Sequence, residues 1–343
     1  MPHRDDATQA GAAYTVTFQP GLPADVPERR IGRPMGRYAH TEGTAAPGRK
    51  PEWLKKALPE SGALRRMESL LRDRRLHTVC ESALCPNLGE CFARGTATFL
   101  IMGDVCTRDC GFCGVTSGRP PGLAGDEPRN IADAVARLEL RHVVVTSVTR
   151  DDLADGGARH YVATIQAIRS RAPEITVEVL VPDFAGRMDN LDLVLAEAPE
   201  VFNHNIETVA RLYPVVRPQA AYERSLAVLR RAVQGGRSLV KTGWMVGLGE
   251  TGEEVEALLE EVAEIGVDMV TIGQYLRPSG RHLPVTEYVR PEVFVGFRER
   301  GEALGLQVHA APFVRSSFQA GESFAQAKSS EASSKARGGS ENG

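Results

Sequence analysis

No stretch of this chain approaches the roughly 20 consecutive apolar residues needed to cross a bilayer. The first thirty residues carry Asp5, Asp6, Asp25 and Glu28 and lack the apolar core of a secretory leader. A cytoplasmic protein without a membrane span is expected. There is no basic excess either: the net charge is −3, which argues against a general nucleic-acid binder. No internal repeat is visible, and no cysteine lies outside positions 80–113. Six thiols gathered there in a cytosolic chain point to metal rather than to disulfides, which glutathione keeps reduced. What remains is 343 residues, 42% hydrophobic and 25% charged. That is enough for one large α/β domain or two modest ones.

The cysteines form two triplets. Cys106, Cys110 and Cys113 are spaced C-x3-C-x2-C, and three thiolates hold three corners of a centre that has four. Iron–sulfur cubanes are held by cysteine thiolates, and three ligands leave one iron open to a reactant. A structural zinc site usually takes four N/S ligands, often as two close pairs, and no second pair lies near this loop. Read alone, the loop leaves a cluster, zinc, redox thiols and inert core cysteines all open. Upstream, Cys80, Cys85 and Cys91 form C-x4-C-x5-C, again one ligand short. There is no seventh cysteine, so the fourth position falls to water, substrate, or an oxygen or nitrogen side chain. His77 would complete a Cys3His zinc site.

Residues 1–48 are rich in Gly, Pro, Ala, Thr and Arg without apolar periodicity, and 326–343 are polar and low in complexity. Both ends are expected to be disordered. Between them, short runs of near-continuous apolar character read as strands buried on both faces: 98–102, 142–147, 176–181, 201–205, 239–246 and 269–275. Helical patterns separate them, notably at 131–138, 160–171, 222–234 and 253–265, the last opening on a Thr251/Glu254 capping box. The alternation predicts an α/β fold with a parallel sheet, a partial (β/α)6 TIM-type barrel. The expected organisation is an N-terminal extension carrying the first cysteine triplet over 49–96, the barrel over 97–310, and a C-terminal segment over 311–325. Functional residues should gather at the carboxyl ends of the strands.

The second triplet, with Phe112 just before Cys113, resembles the cluster loop of radical S-adenosylmethionine enzymes. A longer series of motifs resembles the lipoyl synthases: Cys80, Cys85-Pro86-Asn87 and Cys91; Ala97-Thr98-Phe99; Arg150-Asp151-Asp152-Leu153; Val181-Pro182-Asp183-Phe184; Asn203 to Thr208; Met245 to Thr251; and Gln274 to Ser279. In fixed order over roughly 50–322, these are far more specific than any one spacing. Arg315-Ser316-Ser317-Phe318 resembles the family's C-terminal arginine–serine–serine–tyrosine motif, which gives Ser317 the fourth place on an auxiliary cluster with Cys80, Cys85 and Cys91.

The resemblance implies two 4Fe-4S clusters and S-adenosylmethionine. It further implies insertion of sulfur at C6 and C8 of an octanoyl group on a lysine of a lipoyl carrier domain. Cys106, Cys110 and Cys113 would hold the cluster that cleaves S-adenosylmethionine, two equivalents being used, and the auxiliary cluster would give up its sulfur. Implied partners are octanoylated carrier domains, an electron donor such as ferredoxin or flavodoxin, and an iron–sulfur carrier that rebuilds the auxiliary cluster. Phe112, Glu178 and Asn205 are candidate cofactor contacts, although buried polar groups satisfied by their neighbours read the same way in a sequence. Phe318 replaces the motif's tyrosine, Gly114 stands where an acidic residue is commoner, and Trp244 where leucine is. Another dual-cluster sulfur-inserting enzyme of the radical type and a non-enzymatic iron–sulfur carrier are the competing readings. Gly247-Leu248-Gly249-Glu250 lacks the spacing of a dinucleotide loop.

Overall fold

The computed structural model describes residues 50–55, 71, 72, 74, 76–79, 87, 91 and 96–338, with backbone alone at 96 and 330–338. The strands in chain order are β1 (His77–Thr78), β2 (Thr96–Ile101), β3 (Val105–Cys106), β4 (Thr116–Ser117), β5 (His142–Ser147), β6 (Thr176–Leu180), β7 (Val201–Asn203), β8 (Leu239–Val246), β9 (Met269–Gln274) and β10 (Gln307–Ala310). Eight make one sheet in the order β1-β2-β5-β6-β7-β8-β9-β10. Only the edge strand β1 runs antiparallel. β3 and β4 pair separately.

Helices α1 (Glu127–Arg137), α2 (Ala158–Arg171), α3 (Met188–Ala196), α4 (Tyr213–Val216), α5 (Tyr222–Gly235), α6 (Gly252–Ile265), α7 (Pro291–Ala303) and α8 (Ala320–Gly338) follow in order. The expected parallel α/β architecture is present, and all six expected strands form. Val143, Val145, Val177, Val179 and Phe202 are fully buried members of the main core. Burying each such side chain contributes about 1.5–3 kcal/mol. At the start of α6, Thr251 Oγ1 accepts from Glu254 N at 3.2 Å while Glu254 Oε2 accepts from Thr251 N at 2.8 Å, which is the expected capping box.

Two elements exceed the sequence reading. β10 adds a seventh parallel strand, hidden because Gln307 and His309 share one face, 3.1 Å apart, and break its apolar continuity. The segment from 326, expected as a disordered tail, instead continues α8 to Gly338. Val201, Leu239 and Met269 begin their strands and form a small buried cluster with Ala327, packed against Phe324. The Phe324 ring lies 6.2 Å from that of His142, and Gln307 donates to Ser323 O at 3.0 Å. Two apolar residues in a polar stretch thus seat α8 on the amino-terminal ends of the strands. The carboxyl ends are left for the site. Segment 1–48, expected to be disordered, lies outside the described residues, as does most of 49–96.

Candidate active site

β2 ends in a left-handed turn at Met102, φ 67°, a conformation that costs a non-glycine residue roughly 1–2 kcal/mol. Packing holds it there. Met102 N donates to Glu127 Oε2 at 2.8 Å, and a Cβ on Gly157 would lie 2.2 Å from Met102 Sδ, so only glycine admits the side chain. The turn delivers the chain to β3, and β3 with β4 brackets the cysteine loop, pairing Cys106 with Ser117. Gly111 N donates to Val216 O at 3.0 Å, and Leu283 N to Gly111 O at 2.9 Å. His282 Nε2 donates to Cys113 O at 2.8 Å, its Nδ1 accepting from Ser279 Oγ at 2.9 Å. At the loop's base Arg108 joins Asp151 at 2.7 and 2.9 Å and Asp183 at 2.7 Å. Asp183 is held well below the usual carboxylate range because Arg108 outweighs its burial.

Cys106, Cys110 and Cys113 are free thiols and, like Cys91, are partly buried. Cys106 Sγ faces two backbone amides, Arg108 N at 3.4 Å and Thr149 N at 3.3 Å. Burial pushes the Cys110 thiol up to about 11 and Cys113 up to about 12; the neighbouring sulfurs push the same way, while Arg217 opposes at Cys110. Such thiols shed their protons when a metal takes their place. Among the described residues, no three His, Cys, Asp or Glu side chains are already gathered as ligands for a single ion. The fit to a cluster therefore rests on the donor set and on the amides aimed at Cys106. Phe112 is half-buried in the same loop.

Beside the loop, beyond β7, lies a second polar group. Asn205 Nδ2 donates to Glu207 Oε1 at 3.1 Å and to Ser316 Oγ at 2.5 Å. Arg217 Nη1 donates to Asn205 O at 2.9 Å, Ile206 O at 3.2 Å and Tyr213 Oη at 3.2 Å. Glu207 has φ 72°, and burial pushes its carboxyl up despite Arg217. Glu178 is placed differently. It lies mid-strand in β6, its Oε1 accepting from Lys241 Nζ at 3.0 Å and Asn203 Nδ2 at 3.3 Å, with His142 Nε2 at 3.3 Å from Oε2. Burial raises the carboxyl, but Lys241 and His142 bring it down to about 2. Both its oxygens are taken by protein groups, so the sequence expectation of a cofactor contact gives way here to a buried charge pair.

Cys80 and Cys85 lie outside the described residues. Cys91 is described, and Cys91 N donates to Asn87 O at 2.9 Å. Asn87, itself buried, sends Nδ2 to Phe313 O at 2.6 Å, tying the upstream cysteine segment to the residues just before Ser316-Ser317. The carboxyl-terminal segment is pressed onto β9, since a Cβ on Gly273 would sit 2.1 Å from Val314 O. Arg315 Nη1 donates to Gln274 O at 3.2 Å and Val314 O at 2.8 Å, and Phe318 N to Arg315 O at 2.9 Å. Trp244 is buried in the main core, His77 pairs opposite Leu100 on the edge strand, and Gly114 is half-buried after the loop. Glu207, Arg217, Asn87 and Thr149 gain their places only in three dimensions. Glu207 and Asn87 fall inside motifs read from the sequence, but nothing in the spacing told their partners.

The model of the radical SAM superfamily matches residues 100–262. A lipoyl synthase from Chlorobium phaeobacteroides is 54% identical over 274 residues, 79% of this chain and 96% of its own length. One from Chlorobaculum tepidum is 55% identical over 278 residues, 80% and 96% of the two chains. One from Thioalkalivibrio sulfidiphilus is 52% identical over 280 residues, 81% and 88%. Among solved structures, Streptococcus suis SuiB bound to precursor peptide SuiA superposes with a TM-score of 0.51 at 10% identity, covering 71% of this chain and 52% of its own. That likeness concerns the fold alone.

Proposed function

The chain belongs to the lipoyl synthase family of radical S-adenosylmethionine enzymes, and on that premise we propose that it inserts two sulfur atoms, at C6 and C8, into an octanoyl group carried on a lysine of a lipoyl carrier domain. Membership implies S-adenosylmethionine and a 4Fe-4S cluster, whose residues here are Cys106, Cys110 and Cys113. A second 4Fe-4S cluster, held by Cys80, Cys85, Cys91 and Ser317, would supply the sulfur. Unactivated C–H bonds offer no acidic proton, so the carboxylates at the mouth cannot serve as bases against them; the bound cofactors supply one-electron chemistry instead.

The chain's own residues bind and orient. The amides of Arg108 and Thr149 point at Cys106 Sγ and orient it. His282 and Leu283 strap the loop down from the segment after β9, and α4 holds it from the other side through Gly111. The observation that carries the sulfur-donor reading is the bond from Asn87 to Phe313 O, which brings the segment of Cys91 to the serine pair.

The partners follow from the chemistry. An octanoylated carrier domain presents its lysine at the barrel mouth, ferredoxin or flavodoxin delivers electrons, and an iron–sulfur carrier restores the spent cluster. We place the protein in the cytoplasm; among the described residues no helix is long and apolar enough to cross a membrane. The test is an anaerobic single turnover with S-adenosylmethionine, a strong reductant and an octanoyl-lysyl peptide. Two sulfurs gained by the peptide, read by mass, are expected. 5′-Deoxyadenosine without any change in the peptide would leave the radical chemistry and remove the substrate.

A further inference from the structure

The last cysteine of the loop is held from far along the chain. His282, 169 positions on, sets Nε2 at 2.8 Å from Cys113 O. A carbonyl oxygen only accepts, so Nε2 carries the proton and Nδ1 is left to accept from Ser279 Oγ at 2.9 Å. That hydroxyl in turn accepts from Arg281 N at 3.4 Å. Its partners thus fix both the tautomer and the plane of the imidazole.

The backbone that carries His282 is held at four points. His282 N donates to Ser279 O at 3.1 Å, and His282 O accepts from Arg277 Nε at 2.9 Å. Leu283 N reaches Gly111 O at 2.9 Å, and Tyr275 Oη donates to Leu283 O at 2.8 Å. Tyr275 is buried just past β9, so the segment is anchored in the barrel and not merely in its own turn.

Cys113 N already donates to Cys110 O at 3.1 Å. With His282 on its oxygen, both backbone groups of this cysteine are taken. The plane of the peptide leaving Cys113 is therefore set, and with it the course of Gly114 and Val115. The Val115 amide bonds the Cys113 sulfur and opposes the upward push of burial there. Hydrogen bonds to the sulfurs help set the reduction potential of an iron–sulfur cluster, and the outer groups that orient a ligand share in that control.

Resting on the reading that Cys106, Cys110 and Cys113 hold the cluster that cleaves S-adenosylmethionine, we infer that His282 is a positioning residue for that centre. By fixing the Cys113 peptide it keeps an amide on the Cys113 sulfur, which makes the cluster easier to reduce. Ser279 orients the imidazole for this. The segment after β9 thus tunes electron entry as well as fastening the loop.

The test uses the full-length chain carrying Cys80→Ala, Cys85→Ala and Cys91→Ala, so that only the loop is loaded. A potentiometric titration is followed by electron paramagnetic resonance, with iron content and denaturation midpoint measured alongside. In His282→Ala the equilibrium constant for one-electron reduction should fall about tenfold, a potential about 59 mV more negative. His282→Gln keeps an N–H donor and should return to within twofold of the parent, while Ser279→Ala should fall about threefold. Adding Ser279→Ala to His282→Ala should change nothing further. A parental potential in loaded His282→Ala would overturn the proposal and leave His282 a fastening alone. So would His282→Gln displaced as far as the alanine variant, since packing and not the donor would then be at work. Should His282→Ala load no iron, a parental potential in Ser279→Ala overturns it in the same way. If the parent in this background gives no signal that shifts when S-adenosylmethionine is added, the loop-cluster reading itself falls and takes the proposal with it.

Discussion

Two glutamates, Glu178 in β6 and Glu207 just past the end of β7, are shifted in opposite directions. Glu178, mid-barrel, is brought down to about 2 by Lys241 and His142 in spite of its burial. Glu207, at the mouth, is pushed up because burial outweighs Arg217, Asn205 and Arg315. The deeper carboxylate has a cation 3.0 Å away and sits on ordinary strand backbone. The outer one sits at φ 72° and shares its amide partner with a serine from the far end of the chain. Charge in the barrel's middle is matched by a cation; at the mouth the carboxyl is shared among an amide, a guanidinium and the serine segment.

The sharpest way to break that contrast is Lys241→Met, which leaves Glu178 buried without its cation. A loss of about 3–5 kcal/mol is expected in chemical denaturation, because removing one partner strands the other. Adding Glu178→Met should recover most of it. A double variant as unstable as the single one would show that the pair is not what Lys241 contributes.

Next in size is acid sensitivity from His204. Its Nδ1–H donates to Val181 O at 2.9 Å and its Nε2 accepts from Ser225 Oγ at 3.0 Å. Burial, aided by Arg217, drives it from 6.5 down to about 4. The folded state thus keeps this imidazole neutral while the unfolded chain protonates it. Stability is complete above 6.5 and declines as pH falls through the window to 4. The decline is on the order of 3 kcal/mol. Denaturation midpoints between pH 7 and pH 4.5 should flatten in His204→Gln; an unchanged slope would assign it to other groups.

At the mouth, Gly273→Ala should act on the site and spare the fold. The new methyl overlaps Val314 O and displaces the serine turn, so iron retained after gel filtration should fall about tenfold in affinity, equivalent to about 1.4 kcal/mol, with little change in the denaturation midpoint. Thr251→Ala is the smallest and serves as a reference remote from both glutamates. It removes one half of a capping box at about 1 kcal/mol, without altering cluster content.

Much of this was legible in the chain. β5 and β8 match their expected bounds to the residue, since continuous Val- and Thr-rich runs bounded by polar residues leave little choice for a strand buried on both faces. The cysteine spacings and ordered motifs pointed to the family before any coordinates. β10 escaped because Gln307 and His309 interrupt its apolar run, and α8 because few apolar residues, Phe324 and Ala327 among them, mark its seating. Tertiary burial decides such elements, and periodicity barely records it. The serine turn depends on contacts spanning 111 and 226 positions, and no local pattern encodes them. Glu178 and Asn205 looked alike in sequence, two polar residues on or just past apolar strands; only their partners tell them apart.

The central proposal is that the segment of Cys91 and the serine pair after β10 together hold a sulfur-giving cluster distinct from the one in the Cys106 loop. Its most direct test is a single turnover of enzyme reconstituted with 34S-labelled sulfide, comparing the parent with Ser317→Ala. The account predicts two heavy sulfurs in the octanoyl-lysyl peptide from the parent. From the variant it predicts 5′-deoxyadenosine with little or no thiolated peptide. A Ser317→Ala enzyme that thiolates the peptide at the parental yield, or a parental product carrying unlabelled sulfur, would contradict it.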